Sequence, residues 1–369
     1  MVKILHFFKT YYPRTFGGIE QFIFQMAEGG VRQDLDSQVL YLSEAGKFNG
    51  KVVGGHLTHA SKLDFEFAST GFSFSVFRDF AELASKFDII HYHFPWPFMD
   101  MVHFASGHKK PTVVTYHSDI IKQKNLLMLY RPLMRAFLNS VDHIVATSPN
   151  YLKSSDYLSD YQEKVSIIPI GLDPSTYPKP SENKISYWQN LYSDRYFLFV
   201  GALRYYKGLE FLIDALKCVS YPVLIVGVGP LEATLKEKAK KLKIKNLFFL
   251  GKVSDEDKVA LLKNCYALIF PSHLRSEAFG ISLLEAAMYG KPAISCEIGT
   301  GTSYVNIGNE TGLVVNPGDP LAIKNAMDYL WNHPVQAAEM GLKAKYRFEE
   351  KFHVDIMVKS YSSLYKSLV

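Results

Sequence analysis

The stretch HLRSEAFGISLLEAAMYGKP, residues 273–292, carries two glutamates, Glu277 and Glu285, with seven residues between them. Ahead of it runs the apolar segment ALIFPS (267–272), which reads as a strand buried on both faces. Behind it, ISLLEAAMY has helical spacing and stops at Gly290, so the stretch is a strand-to-helix turn. Gly280 stands where that helix opens, and the N–H groups of Gly280 and Ile281 then face any anion at its mouth. Glu285 lies about one turn inside the helix. A carboxylate cannot hold phosphate, but it accepts two hydrogen bonds from a ribose diol, and Glu277 in the loop can do the same for sugar hydroxyls. The bland alternative is a helix with an acid placed near its N-terminus for the dipole.

Outward from this turn the same alternation repeats. On the C-terminal side of the chain, RYFLFVGAL, YPVLIVGVGP, NLFFLGKV, YALIFPS, KPAISC and TGLVV are each followed by a helical segment. Nearer the N-terminus, VKILHF (2–7), SQVLYL (37–42), FDIIHYHF (87–94), PTVVTYH (111–117), DHIVATS (142–148) and KVSIIPI (164–170) do likewise. Such apolar runs joined by helices predict two α/β domains, each a doubly wound parallel sheet. Between them, GLDPSTYPKPSENKISYWQNLYSD (171–194) reads as a linker, and HVDIMVKSYSSLYKSLV (353–369) as a last helix. The expected domains are 1–172, with helix 353–369 packing back on it, and 173–352.

The bulk numbers agree. The chain has 369 residues, 48% of them hydrophobic and 21% charged, with ample material for two cores. A formal net charge of +5 falls short of the concentrated basicity of a nucleic-acid binder and suits anionic small ligands or an anionic membrane surface. Three scattered cysteines without metal spacing point to a reducing cytoplasm. No run of 18 or more apolar residues exists to span a membrane.

Ligands of doubly wound sheets sit beyond the carboxyl ends of the strands, so the other strand-to-helix turns matter. RTFGGIEQ (14–21) is the first of them; Gly17 and Gly18 let backbone approach a ligand, or simply make a tight turn. It is not GxGxxG, which argues against a nicotinamide dehydrogenase. In VGALRYYKGLEFL (200–212), Arg204 and Lys207 stand at a helix mouth near Gly208, a seat for a diphosphate or a solvated loop. IVGVGP (225–230) permits a close approach to a base or ribose, or merely a turn. In LGKVSDEDKVALL (250–262), Ser254 reads as an N-cap with Asp257 three residues on. His117 in TYHSD (115–119) ends a strand, where a lone histidine is more often structural. His91 and His93 share a strand face, but no third ligand is evident, so no metal is expected. Segment 120–140 is amphipathic and basic, with Lys122, Lys124, Arg131 and Arg135 beside Leu126, Leu127, Leu129, Leu133 and Phe137. It suits anionic lipid, or a core-facing helix with a basic outer face.

Taken in order, GGIEQ, YHSD, IPIGLD, VGALRYYKG, GVGP, GKVSDEDK, SEAFGISLLEAAMYGKP and ETGLVVNPGD resemble the retaining glycosyltransferases of family four over nearly the whole chain. The resemblance implies the GT-B architecture, two Rossmann-like domains facing a cleft, the first on the acceptor side and the second binding the donor. It also implies metal-independent sugar transfer from a nucleoside diphosphate, with no cofactor and with retention of configuration. Carried over by position, Arg204 and Lys207 would hold the diphosphate, helped by the backbone of Gly280, Ile281, Gly17 and Gly18. Glu285 would bind the ribose and Glu277 the sugar, while His117 would touch the sugar near the reaction centre. Val253, Asp255, Lys258, Ala278 and Phe279 would complete the donor site. In this family the arginine commonly lies further from the lysine, whereas here only two tyrosines separate them. GKVSDEDK resembles mannosyltransferases in which the residues matching Asp255 and Lys258 lie by a guanine. A carboxylate accepts from guanine N1–H and N2–H₂, a donor pair that uracil lacks. The N-terminal run and GTGTSYVNI are similar to bacterial enzymes that build O-antigen polysaccharide on a polyprenyl diphosphate lipid. GDP-mannose is therefore the expected donor, and the inner face of the cytoplasmic membrane the expected place of work. The competing expectations are a UDP-glucose or UDP-N-acetylglucosamine donor, an epimerase or hydrolase on the same scaffold, and a protein that binds nucleotide-sugar without transfer.

Overall fold

The computed structural model describes residues 1–15, 17–46, 50–68, 70–121, 124–192 and 195–369. The chain divides into two compact units, Met1–Leu172 with His353–Val369, and Asp173–Phe352.

The first unit is built on strands β1 (Val2–Phe7), β2 (Leu35–Ser43), β3 (Lys51–Val53), β4 (His56–Lys62), β5 (Phe65–Phe67), β6 (Thr70–Phe72), β7 (Ile89–Phe94), β8 (Thr112–Tyr116), β9 (His143–Ala146) and β10 (Val165–Ile167). Eight of them form one sheet in the order β10-β9-β8-β7-β1-β2-β4-β3, while β5 and β6 make a separate hairpin. Every pairing in the large sheet is parallel except β3 with β4. The central strands β7 and β8 are buried throughout, as continuous apolar runs between two helical layers require. The sequence reading missed β4. Its buried positions include His56, Thr58 and Ser61, so polar side chains on the inward face hide the period of two. The order of the strands reverses between β1 and β7, and the crevice beyond their carboxyl ends is where such a sheet takes ligands.

The helix Val354–Leu368 belongs to this unit. Leu172 and His353 form a parallel bridge, and Val354 N–H donates to the Leu172 carbonyl at 3.0 Å. The helix then lies beside Gly18–Gly30 and buries Met357, Val358, Tyr361 and Tyr365.

The second unit contains β11 (Phe197–Val200), β12 (Val223–Val226), β13 (Leu247–Gly251), β14 (Ala267–Phe270), β15 (Ala293–Cys296) and β16 (Gly312–Val315). They pair in parallel in the order β13-β12-β11-β14-β15-β16. This is the dinucleotide-fold order, with its reversal between β11 and β14. The core joins Phe197, Phe199, Val223, Ile225, Ala267 and Ile269 of the sheet to Leu212, Ile213, Met327 and Leu330 of the helices. The glycines of IVGVGP have a packing reason: a Cβ on Gly227 would stand 2.0 Å from the Gly201 carbonyl oxygen, so the turns after β11 and β12 touch backbone to backbone.

The segment read as a linker is largely helical over its described residues. Asp173 caps a short 3₁₀ turn, Pro174–Thr176, and a helix follows at Glu182–Tyr192. That helix packs on Asp255–Asn264 through Trp188 Nε1–H to Asp257 at 3.0 Å and Lys184 to Asp257 at 3.2 Å. It has no buried residue, which is why its polar sequence gave no amphipathic signal.

Candidate active site

In the second unit, the turns after the two strands flanking the reversal carry the opening stretch and the lysine loop. After β11, Arg204 starts a 3₁₀ turn, Tyr205–Lys207, which ends at Gly208 in the left-handed region (φ +67°). A Cβ at Gly208 would lie 2.0 Å from the Pro271 carbonyl oxygen, so only glycine lets the two turns meet. The result seats Lys207, 8% exposed, with Nζ 2.5 Å from Glu277 Oε2 and 4.9 Å from the Phe270 ring centroid. Ser272 Oγ donates to the same Glu277 oxygen at 3.0 Å, and Thr300 Oγ1 donates to the Glu277 backbone carbonyl at 2.8 Å. Burial and the nearby Glu277 charge both push the Tyr206 hydroxyl upward, keeping it a neutral donor beside the pair. Arg204 stays exposed at the same turn, so the structure joins Lys207 to Glu277 rather than to Arg204.

The helix Ile281–Met288 opens at Gly280 as expected. The N–H groups of Gly280 and Ile281 find no acceptor among the described residues. Glu285 is buried, and its Oε1 accepts from Lys258 Nζ at 2.9 Å and from the Tyr177 hydroxyl at 3.2 Å. Lys258 also lies 3.8 Å from Asp255, whose side chain is 72% exposed. Burial pulls the Lys258 ammonium down, but the carboxylates of Glu285 and Asp255 outweigh it and hold its pKa above the ordinary lysine value. Ser254 caps the Asp255–Asn264 helix, its Oγ accepting from Asp257 N–H at 3.1 Å. Val253 is half-buried just before this cap. Phe279 packs its ring against Phe352, and the Ala278 carbonyl accepts from Gly301 N–H at 2.8 Å.

In the first unit, Gly17 is the extended N-cap of the Gly18–Gly30 helix. Buried Glu20 ties down the loop before it, accepting from Thr10 Oγ1 at 2.9 Å and Thr15 Oγ1 at 2.6 Å. His117 follows β8 and is 6% exposed. It is not a lone histidine. Parallel pairing sets His6 opposite His91 and His93 opposite Thr115, so His6, His91, His93 and His117 share one face of the sheet. His6 Nδ1 lies 3.1 Å from His93 Nε2, and His93 Nδ1 lies 3.1 Å from His117 Nε2. Burial lowers the pKa of His6 and of His117 to about 3, and lowers His91 and His93 strongly too, so all four rings are neutral. The third histidine that the sequence reading lacked is His6, with nitrogens of His6, His91 and His93 all within 4.8 Å of one another.

The sequence reading also missed Tyr177, Ser272 and Thr300 in the second unit and Glu20 in the first. Tyr177 and Thr300 sit far in sequence from the glutamates they contact, the one through the Glu285 carboxylate and the other through the Glu277 backbone carbonyl, and no local spacing marks them.

The helix expected at 120–140 runs from Lys124 to Ser140. Lys122 and the Lys124 side chain lie outside the described residues. Leu127, Met134, Phe137 and Leu138 face the core, whereas Leu126, Met128 and Leu129 are 43%, 68% and 78% exposed beside exposed Arg131 and Arg135. No helix among the described residues is long and apolar enough to cross a membrane.

Comparison with known proteins fits this arrangement. The family model described as glycosyl transferases group 1 matches residues 185–347, and that of glycosyltransferase family 4 matches 16–176. The chain is 58% identical to the D-rhamnosyltransferase WbpZ of Pseudomonas aeruginosa, over 95% of this chain and 92% of that protein. It is 46% identical to the O-antigen chain mannosyltransferase C of Escherichia coli, over 100% of this chain and 99% of the relative. Among solved structures, the sucrose-phosphate synthase of Thermosynechococcus elongatus superposes with a TM-score of 0.81 at 19% identity, covering 100% of this chain and 99% of that one. The chain therefore belongs to the family-four glycosyltransferases, and its two doubly wound units are the GT-B fold of a sugar-transferring enzyme.

Proposed function

We propose that the enzyme transfers mannose from GDP-mannose, with retention and without a metal, to an O-antigen glycan carried on a polyprenyl diphosphate lipid. The observation that carries the donor reading is the paired placement of Lys207 with Glu277 and of Lys258 with Glu285 at the reversal of the second sheet. Lys207 and the free N–H groups of Gly280 and Ile281 offer positive charge for a diphosphate, with Arg204 beside them and Gly17 and Gly18 as backbone donors of the first unit. Glu277 accepts from the hydroxyls of the transferred sugar, and Glu285 from the ribose. Asp255, exposed beside Lys258 and two residues after Val253, is the acceptor for guanine. The O-antigen acceptor and the mannose rest on the mannosyltransferase that matches this chain end to end.

In the reaction, the bond from sugar C1 to the diphosphate oxygen breaks, and a bond from C1 to the acceptor hydroxyl forms on the same face. The acceptor proton passes to the departing diphosphate. The protein's part is to stabilise the charge that grows on that diphosphate, which is the task of Lys207 and the helix N–H groups. His117, neutral at working pH, contacts the sugar by hydrogen bonding and takes no charge. The exposed Leu126, Met128 and Leu129 with Arg131 and Arg135 form the face that meets anionic lipid at the inner side of the cytoplasmic membrane.

A second reading has a specific observation behind it. The relative with the higher identity is a D-rhamnosyltransferase, and D-rhamnose is mannose without its 6-hydroxyl. Purified enzyme, offered GDP-mannose, GDP-D-rhamnose and UDP-glucose in turn with a polyprenyl-diphosphate glycan, decides between them by product mass. Mannosyl product alone supports the first reading, rhamnosyl product alone replaces it with the second, and glucosyl product removes the guanine assignment. Co-sedimentation with phosphatidylglycerol vesicles, lost in Leu129→Asp, tests the lipid face; unchanged binding of that variant rejects it.

A further inference from the structure

The imidazole row in the first unit has a direction. Each ring is neutral, so each has one N–H and one bare nitrogen. Two contacts link them, His6 Nδ1 to His93 Nε2 and His93 Nδ1 to His117 Nε2, both 3.1 Å. Only two proton arrangements satisfy both contacts. In one, protons point from His6 through His93 to His117, leaving His6 Nε2 bare and His117 Nδ1 protonated. In the other they point back, leaving an N–H at His6 Nε2. That atom is fully buried and has no hydrogen-bond partner among the described residues. A sealed N–H without an acceptor is rarer and costlier than a sealed bare acceptor, so the first arrangement wins. At the other end, His117 Nδ1 has no partner among the described residues and is not sealed from solvent.

A divalent cation does not fit the same cluster. It needs three lone pairs that converge. His91 has both nitrogens occupied by hydroxyls, Thr115 at 2.7 Å and Tyr365 at 2.6 Å, and His93 has both turned to its neighbouring rings.

We propose that His6 and His93 are positioning residues that lock His117 in the Nδ1–H tautomer, so that it presents a hydrogen-bond donor to a hydroxyl oxygen of the bound sugar. This rests on the reading of His117 as a sugar contact. Residues His6 and His93 touch no substrate; they act through His117. Aspartate or glutamine at the same place would offer other groups, whereas a locked imidazole offers one donor in one direction.

The test uses the full-length protein labelled with ¹⁵N-histidine, its ring nitrogens read by long-range proton–nitrogen correlation at neutral pH. The His117 signals are identified by their loss in His117→Gln. The expected result is a protonated Nδ1 and a bare Nε2. His93→Asp, which can only accept, should turn His117 to Nε2–H and lower kcat/KM for the nucleotide-sugar by about 10–100-fold, the loss expected for one hydrogen bond to substrate. Affinity for GDP alone should not change. Should that variant fold poorly, His6→Leu removes the head of the row and should give mixed His117 tautomers. His93→Leu should lose activity, and His93→Asn, whose amide N–H overlays Nδ1–H, should recover most of it. An Nε2–H tautomer in the unmodified protein overturns the proposal, as does a tautomer that ignores His6→Leu. If the tautomer behaves as expected while His117→Gln transfers sugar at the normal rate, the donor role fails and the sugar-contact reading fails with it. The transferase assignment would then still stand on Lys207, which is tested separately.

Discussion

Acid should unfold the first unit through its histidines. His6 and His117 both sit at about 3, far below the ordinary histidine value of 6.5. The unfolded chain takes up protons as pH falls through about 6.5, while the folded chain refuses them until about 3, so stability is highest above the upper value and declines throughout that window. Between pH 7 and pH 5, each ring costs about 2 kcal/mol by proton linkage, and the two together about 4 kcal/mol. His91 and His93 push the same way. Against a total stability of roughly 5–15 kcal/mol, the loss is large. Urea unfolding at the two pH values, read by proteolysis of peptides from β1, β7 and β8, reports this unit by itself. Carboxylates contribute a pH dependence of their own, so the comparison is with His117→Gln, which lacks one ring and should lose about 2 kcal/mol less over the same range. Equal pH dependence in the two proteins would show that His117 is not buried neutral, and the reasoning would be wrong.

Four further outcomes are expected. Lys207→Ala should lower turnover by about two to four orders of magnitude with an unchanged circular dichroism spectrum, and near-normal turnover would sink the diphosphate assignment. Asp255→Ala should weaken GDP more than UDP in a thermal-shift titration; equal losses argue against guanine recognition. Gly208→Ala should destabilise the second unit by about 2 kcal/mol or more, since its Cβ meets the Pro271 carbonyl at 2.0 Å, and calorimetry of the variant checks this. Tyr177→Phe removes one of the two hydrogen bonds to Glu285 and should weaken nucleotide binding by about 10-fold, measured by calorimetric titration with GDP.

The groups that meet in the second unit's turns were legible because they cluster in short spans. Glu277, Gly280, Ile281 and Glu285 share one turn, and Lys207 shares a loop with Gly208, so periodicity and turn chemistry place them before any contact is known. The histidine row was not legible. His6 and His93 lie 87 residues apart and meet because β1 pairs with β7. Nothing in VKILHF distinguishes a histidine facing another strand's histidine from one facing solvent. The strand β4 was hidden by its buried hydroxyls and imidazole, and the Glu182–Tyr192 helix by its polar, prolyl-flanked sequence. In both cases packing against a neighbour overrode a weak local signal.

The return of Val354–Leu368 to the first unit has a consequence for biosynthesis. Tyr361 and Tyr365 supply hydroxyls to Thr115 and His91 at 2.8 and 2.6 Å, yet they are synthesised only after every residue of the second unit. A first unit lacking this helix would lack the hydroxyls that Thr115 and His91 meet, and that part of the imidazole face would be uncovered. A prematurely terminated chain would keep that face uncovered, a surface for chaperones and proteases to recognise. Completion of the first unit therefore waits on the last residues of the chain, which follow all of the second unit in sequence.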